Sequence, residues 1–374
     1  MKKTFFYTIL FLIPISFCII VLEVILPKFI KVPHLVYKSW NDRPVTFYPS
    51  MIHRSVSPNY DVYFKSNSLG FKDREHDFLK GKGVYRVLLL GDSFVQAQEV
   101  PIECQTSSIM EKLAKQDSLN MEVISLGMSS YGQSHQLITY EKLGRKFDPD
   151  LVISFFCPND IHDNLRLEKQ LGKPVYLLQE CKLICNFPEK GPEEALDLKE
   201  LVPRKFLNRT ETYFFLRYVV VLVYQRFFAS EKQKKAAQLA VGGKIDSSAT
   251  ESQIPASFEE LELFGALVKE MKNSLVDRDS VIFVNTIVSS LLTSEPSDGY
   301  FHLLDHVEKT YGAGGIETIN FNEIFKETYE KTGILPSWEN DGHWNKTGHQ
   351  WVGELLYRHI KKLIQHDPTE CSKF

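Results

Sequence analysis

Val84-Tyr85-Arg86-Val87-Leu88-Leu89-Leu90-Gly91-Asp92-Ser93-Phe94 is the stretch whose reading decides the fold. A short, nearly continuous apolar run that stops at a glycine is the pattern of a strand buried on both faces. Similar runs recur at Met121–Leu126, Leu151–Phe156 and Val281–Val284. Stretches with helical spacing separate them, over Ser107–Lys115, Gln133–Lys146 and Phe258–Leu275. Strand alternating with helix predicts βαβ units and therefore an α/β fold with a parallel sheet. Polar turn residues follow three of the strands directly: Gly91-Asp92-Ser93-Phe94, Gly127-Met128-Ser129-Ser130-Tyr131-Gly132 and Cys157-Pro158-Asn159-Asp160. Each alone reads as a strand exit. Together they gather at the carboxyl ends of parallel strands, where open α/β sheets bind ligands.

A fourth polar block lies near the C-terminus, Asn340-Asp341-Gly342-His343-Trp344-Asn345-Lys346-Thr347-Gly348-His349, leading into an amphipathic helix over Trp351–Leu363. A serine after the first strand and an Asp/His pair before the last helix are the parts of a nucleophile–base–orienter set. A serine hydroxyl stays protonated at neutral pH. It attacks only with an imidazole in hydrogen-bond reach, and that imidazole needs a carboxylate to fix its tautomer. Glycine at 342 permits the tight turn that would lay Asp341 against His343. His349, one turn beyond, reads as a helix-capping or surface residue, and Asp92 as a structural turn residue.

With GDSF at 91–94, PND at 158–160 and DGHWN at 341–345 in this order, the chain resembles the SGNH or GDSL hydrolases over roughly Val84 to Leu363. The resemblance implies a three-layer α/β/α sandwich with a central parallel sheet of flavodoxin-like topology. It implies a serine esterase that hydrolyses an O-acyl ester, acetyl foremost, through an acyl-serine intermediate. Carried over by position, Ser93 would be the nucleophile, His343 the general base and Asp341 its orienter. The oxyanion hole would comprise the backbone N–H groups of Ser93 and Ser130 and the side-chain amide of Asn159. Three departures stand out. Ser130 occupies the place of a family glycine, and Cys157 stands where glycine is usual. Asp341 lies two residues before the histidine where three are common, and Asn340 holds the three-before position without a charge. That shorter spacing resembles envelope-associated members, including relatives of polysaccharide O-acetyltransferases. An O-acetyltransferase acting on a cell-envelope polysaccharide would use the same residues, and an inactive binding or assembly module of this fold is the reading from another class. The implied partner is an acylated small molecule or glycan, with no cofactor.

Composition agrees with a globular enzyme. The 374 residues are 43% hydrophobic and 24% charged, enough for a core and against disorder. Forty-four Lys and Arg against 47 Asp and Glu give a net charge of −3, which offers nothing toward nucleic acid. Six cysteines do not make a disulfide scaffold. Cys181 and Cys185 could pair if exported, and two thiols without a nearby His pair are too few ligands for a structural metal site.

The N-terminal end is different. Phe5 to Leu26 is almost wholly apolar, and as one helix it would rise about 33 Å against a bilayer core of about 30 Å. It lacks a small-residue cleavage site, and Cys18 follows Phe17, unlike a lipoprotein cysteine. The expectation is an uncleaved signal anchor over 1–27, single-pass in the cell membrane. Lys2 and Lys3 would stay inside, so the catalytic part would be exported to the periplasm or beyond, although Lys28 and Lys31 weigh against that orientation. The remaining organisation expected is an extended approach segment over 28–83, the hydrolase domain over 84–365 and a tail over 366–374. The domain carries an insertion at about 165–256. Inside that insertion, Tyr213–Phe228 reads as a helix packed on the core or lying along the membrane surface, and Ala229–Pro255 as a surface linker.

Overall fold

The computed structural model describes residues 2–25, 28–40, 42–164, 174–180, 182–186, 210–227, 256–276, 282–287, 298–338 and 341–366. They fall into two compact units: one of Met1–Val36, Ile52–Tyr63 and Pro192–Ile245, the other of Tyr37–Met51, Phe64–Gly191 and Asp246–Phe374. Residues 28–83 therefore contribute to both.

The larger unit is built on five strands: β1 (Tyr85–Gly91), β2 (Met121–Gly127), β3 (Leu151–Phe156), β4 (Ile282–Ile287) and β5 (Glu317–Asn320). All neighbouring pairs are parallel, and the order across the sheet is β5-β4-β3-β1-β2. This is the flavodoxin-like order, whose reversal falls between β1 and β3. The four apolar runs of the sequence are β1 to β4. The fifth strand, Glu-Thr-Ile-Asn, has no continuous apolar run to announce it.

Helices cover both faces: α1 (Ser93–Gln96), α2 (Thr106–Gln116), α3 (Gln133–Lys142), α4 (Phe258–Val276), α5 (Asp298–Ala313), α6 (Phe321–Thr332) and α7 (Lys346–His366). Alternate residues of the strands point to opposite faces. Val87, Leu89, Val123, Ile153 and Phe155 pack with Met110 of α2, Phe325 of α6 and Leu356 of α7. Phe156 instead joins Phe264 and Val268 of α4 and Val307 and Tyr311 of α5. The result is the three layers that the resemblance implied. β4 pairs with β3 along its length although the segment 165–256 intervenes. The described parts of that insertion are an antiparallel hairpin, Val175–Gln179 with Lys182–Asn186, and a helix over Glu211–Phe227. The linker over Ala229–Pro255 and the tail beyond His366 lie outside the described residues, as does Cys181; Cys185 is a free thiol.

The smaller unit holds an N-terminal helix over Lys2–Ile20 that continues as a wider π turn over Val21–Ile25. The Glu23 carboxylate accepts hydrogen bonds from the backbone N–H (2.9 Å) and hydroxyl (2.6 Å) of Thr212, at the start of the Glu211–Phe227 helix. Of the apolar stretch expected as one span, the part up to Ile20 is α-helical and Val21–Ile25 forms the π turn. Among the described residues no helix is long and apolar enough to cross a membrane.

Candidate active site

β1 runs straight into the site. At its end a side chain on Gly91 would put a Cβ 2.4 Å from Val95 Cγ2 and 2.9 Å from Phe155 Cβ, so glycine is what lets α1 fold down over the strand. Asp92 caps that helix, its carboxylate accepting from the Phe94 N–H at 3.0 Å. Ser93 is thus the first helical residue, partly exposed at the carboxyl end of the sheet. Ala97, left-handed at φ 54°, closes the short helix with its N–H on the Ser93 carbonyl.

The histidine arrives from the opposite end of the chain. Gly342 has φ 80°, the left-handed conformation that the tight turn needs and that glycine adopts without penalty. Asn345 caps α7, its side-chain oxygen accepting from the N–H groups of Thr347 (2.8 Å) and Gly348 (3.2 Å). Trp344 is 2% exposed and packs against Phe94, Phe155, Phe321 and Phe325, pinning the loop to the core. Between these two fixed points His343 Nδ1 lies 2.6 Å from Asp341 Oδ1, and Nε2 lies 2.8 Å from Ser93 Oγ. Residues 250 positions apart in sequence therefore form one hydrogen-bonded line of hydroxyl, imidazole and carboxylate. Burial works against the charged imidazole, but the Glu99 and Asp341 carboxylates and the Asp341 hydrogen bond outweigh it, raising the pKa to about 9.

Ser130 and Asn159 stand beyond the two strands that flank β1. Gly91 is level with Gly127, so the chain leaves β1 and β2 at the same height. Ser130 has φ 59°, a region L side chains seldom occupy, which explains why the resembling family keeps glycine there. The turn is closed by the Tyr131 N–H on the Met128 carbonyl at 3.1 Å, and tied to α1 by the Ser129 hydroxyl on Gln96 Oε1 at 2.6 Å. Asn159 Nδ2 donates to Asp163 Oδ2 at 2.9 Å. One amide N–H is thereby fixed, which orients the second for another acceptor. Asp163 escaped the sequence reading, although its place four residues after Asn159 is the spacing that brings side chains together on a helical turn.

Two carboxyls lie buried beneath these turns. Burial pushes Asp92 up to about 7, against the Phe94 hydrogen bond and the His343 charge. Burial, with the Asp92 and Asp163 charges, pushes Asp160 well above the usual carboxylate range. Asp160 Oδ2 accepts from the Cys157 N–H (3.2 Å) and from Gln133 Nε2 (2.9 Å), holding the turn that presents Asn159. His349 is neither a surface residue nor a second base. It is 1% exposed, paired with Thr106 Oγ1 at 3.0 Å, and burial lowers its pKa to about 3. His135 stacks on Tyr131 and is fully buried, while His162 pairs with Glu260 at 2.9 Å. Asn340 lies outside the described residues. Among the described residues no group of three or more His, Cys, Asp or Glu side chains is placed to hold a metal ion.

A hydroxyl, an imidazole and a carboxylate in line, with an oriented amide on the next strand, can activate a nucleophile by general base and receive an oxyanion. Three solved structures similar to this chain are esterases. The acetyl xylan esterase AlAXEase is 12% identical, with 74% of this chain and 99% of that one covered, at a TM-score of 0.41. A catalytic mutant of Axe2, an acetylxylan esterase from Geobacillus stearothermophilus, is 12% identical over 75% and 95% of the two chains, at 0.40. The psychrotrophic esterase EstA from Pseudoalteromonas sp. is 12% identical over 75% and 100%, at 0.39. No family model and no curated protein matches the chain. At this depth of likeness the functional reading rests on the chain's own side chains.

Proposed function

We propose that the chain is an SGNH-type serine hydrolase that cleaves an O-acyl ester, an acetyl ester of a small molecule or glycan foremost. One observation carries the reading: the unbroken line from Ser93 Oγ through His343 to Asp341. As Oγ bonds to the acyl carbon, its proton passes to Nε2 and the carbonyl oxygen becomes an oxyanion. The Ser93 and Ser130 N–H groups and the Asn159 amide receive that charge. His343 then returns the proton to the departing alkoxide, leaving an acyl-serine that water cleaves by the same steps. The D-G-H-W-N block, which resembles transferase relatives, favours a second reading in which a sugar hydroxyl takes the place of water.

The test combines labelling and pH. A fluorophosphonate probe should label Ser93, identified by peptide mapping, and acetylated oligosaccharide should release acetate. Release that requires an added glycan acceptor would select the transferase. The imidazole must be neutral to take the proton, and its pKa is raised, so kcat/KM should climb as pH rises from 7 toward about 9. Absence of labelling would leave the binding-module reading.

We further infer that the N-terminal helix attaches the protein to a lipid surface. Its Phe6, Leu10, Phe11, Ile13 and Phe17 side chains are between 58% and 68% exposed, an apolar surface unsuited to water. Phe11→Glu with Phe17→Glu should reduce co-flotation with anionic vesicles at least about tenfold, since each substitution puts a charge where an exposed apolar group would enter the lipid. Equal flotation of variant and wild type would refute attachment.

A further inference from the structure

We infer that Glu99 is a second carboxylate of the catalytic histidine: a positioning residue that acts through His343 by stabilising its charged form once Ser93 has given up its proton. The inference rests on the serine-hydrolase reading of the site. Three observations and one physical argument support it. Glu99 is 1% exposed, yet its Oε1 has no hydrogen-bond partner. That oxygen's carboxylate lies 3.9 Å from His343 Nδ1, on the ring nitrogen that Asp341 also faces at 2.6 Å. The approach is built by the fold: α1 ends at Gln96, and the left-handed Ala97 turns the chain so that Glu99 reaches the ring. A buried carboxylate without a compensating group is strongly disfavoured, so the nearby imidazole is the feature that makes its burial tolerable.

The surrounding charges fit this role. His343 feels Glu99, Asp341 and Asp92. Glu99 feels His343, Asp341 and the buried Lys72, whose Nζ donates to Gln105 Oε1 at 3.0 Å. Burial raises the Glu99 pKa and the two cations pull against it. When Ser93 Oγ bonds to the acyl carbon and its proton moves to Nε2, the ring gains a full positive charge. Asp341 answers it through a hydrogen bond; Glu99 answers it through space in a water-poor setting, where a charge at this distance shifts a pKa by about one to three units.

The experiment is a titration of the His343 ring by NMR in the full chain, with the resonance assigned through His343→Gln. Glu99→Gln keeps the shape and removes the charge, and should lower the His343 midpoint by about one unit or more. Glu99→Leu should do the same with an unchanged or higher Tm, because replacing a buried charge by an apolar side chain of similar volume is commonly neutral or stabilising. The kcat/KM midpoint should move down in parallel while KM stays within about twofold, the split expected when transition-state charge stabilisation is lost. A midpoint that stays put in both variants would overturn the inference. So would a collapse of Tm in both, which would make Glu99 a packing residue. The ring titration does not depend on turnover. An inert effect of Ser93→Ala on ester cleavage would sink the hydrolase reading while leaving the Glu99–His343 coupling measurable.

Discussion

Ser93→Ala should reduce p-nitrophenyl acetate turnover by about 10⁴-fold or more, down to the background of the remaining oxyanion donors. The substitution should leave the fold intact. Ser93 is partly exposed, it opens a four-residue helix whose cap is the Asp92 carboxylate, and alanine is at home in a helical first turn. Unchanged Tm and circular dichroism would show that the loss belongs to chemistry. His343 would lose the hydroxyl at 2.8 Å but keep Asp341, so ring orientation should survive in the variant. A Ser93→Ala protein with near-native turnover would remove the nucleophile and, with it, the whole mechanism.

Much of this was legible because the decisive signals are local. β1, β2 and β3 are nearly continuous apolar runs, as a strand buried on both faces tends to be written. The turn at Gly342 was legible from one residue, since only glycine makes a left-handed step cheap. Ser130 shows the limit: its left-handed φ sits on a serine, so the sequence marks the position only by departing from the resembling family. β5 was hidden because an edge strand of four residues needs no apolar run. The N-terminal segment shows another limit. Hydropathy measures composition, whereas helix length depends on where the backbone stays regular, and it changes at Val21. Glu99 had no local signal at all. Its meaning comes from His343, a neighbour in space that lies at the far end of the chain.

Asp341→Asn should cut kcat by about 10³- to 10⁴-fold with little change in KM, because the amide can donate to Nδ1 and hold the imidazole with its proton on Nε2, facing Ser93. In that tautomer the ring has no lone pair for the serine proton. Asp341→Ala removes the wrong donor as well as the right acceptor. The ring is then free to turn its Nδ1–H toward Glu99, already 3.9 Å away. Alanine should therefore retain more activity than asparagine, by about tenfold if Glu99 takes over part of the orientation. Adding Glu99→Gln to Asp341→Ala should erase that advantage, while Asn340→Ala alone should change kcat by less than about twofold, since an uncharged amide at 340 cannot supply the orienting carboxylate. An asparagine variant as active as alanine would mean that tautomer control does not pass through position 341. A damaging Asn340→Ala beside a mild Asp341→Asn would place the orienting group three residues before the histidine, or in the backbone. The 2.6 Å bond between Asp341 and Nδ1 predicts the opposite ranking, with the carboxylate at 341 dominant and the one at 99 in reserve.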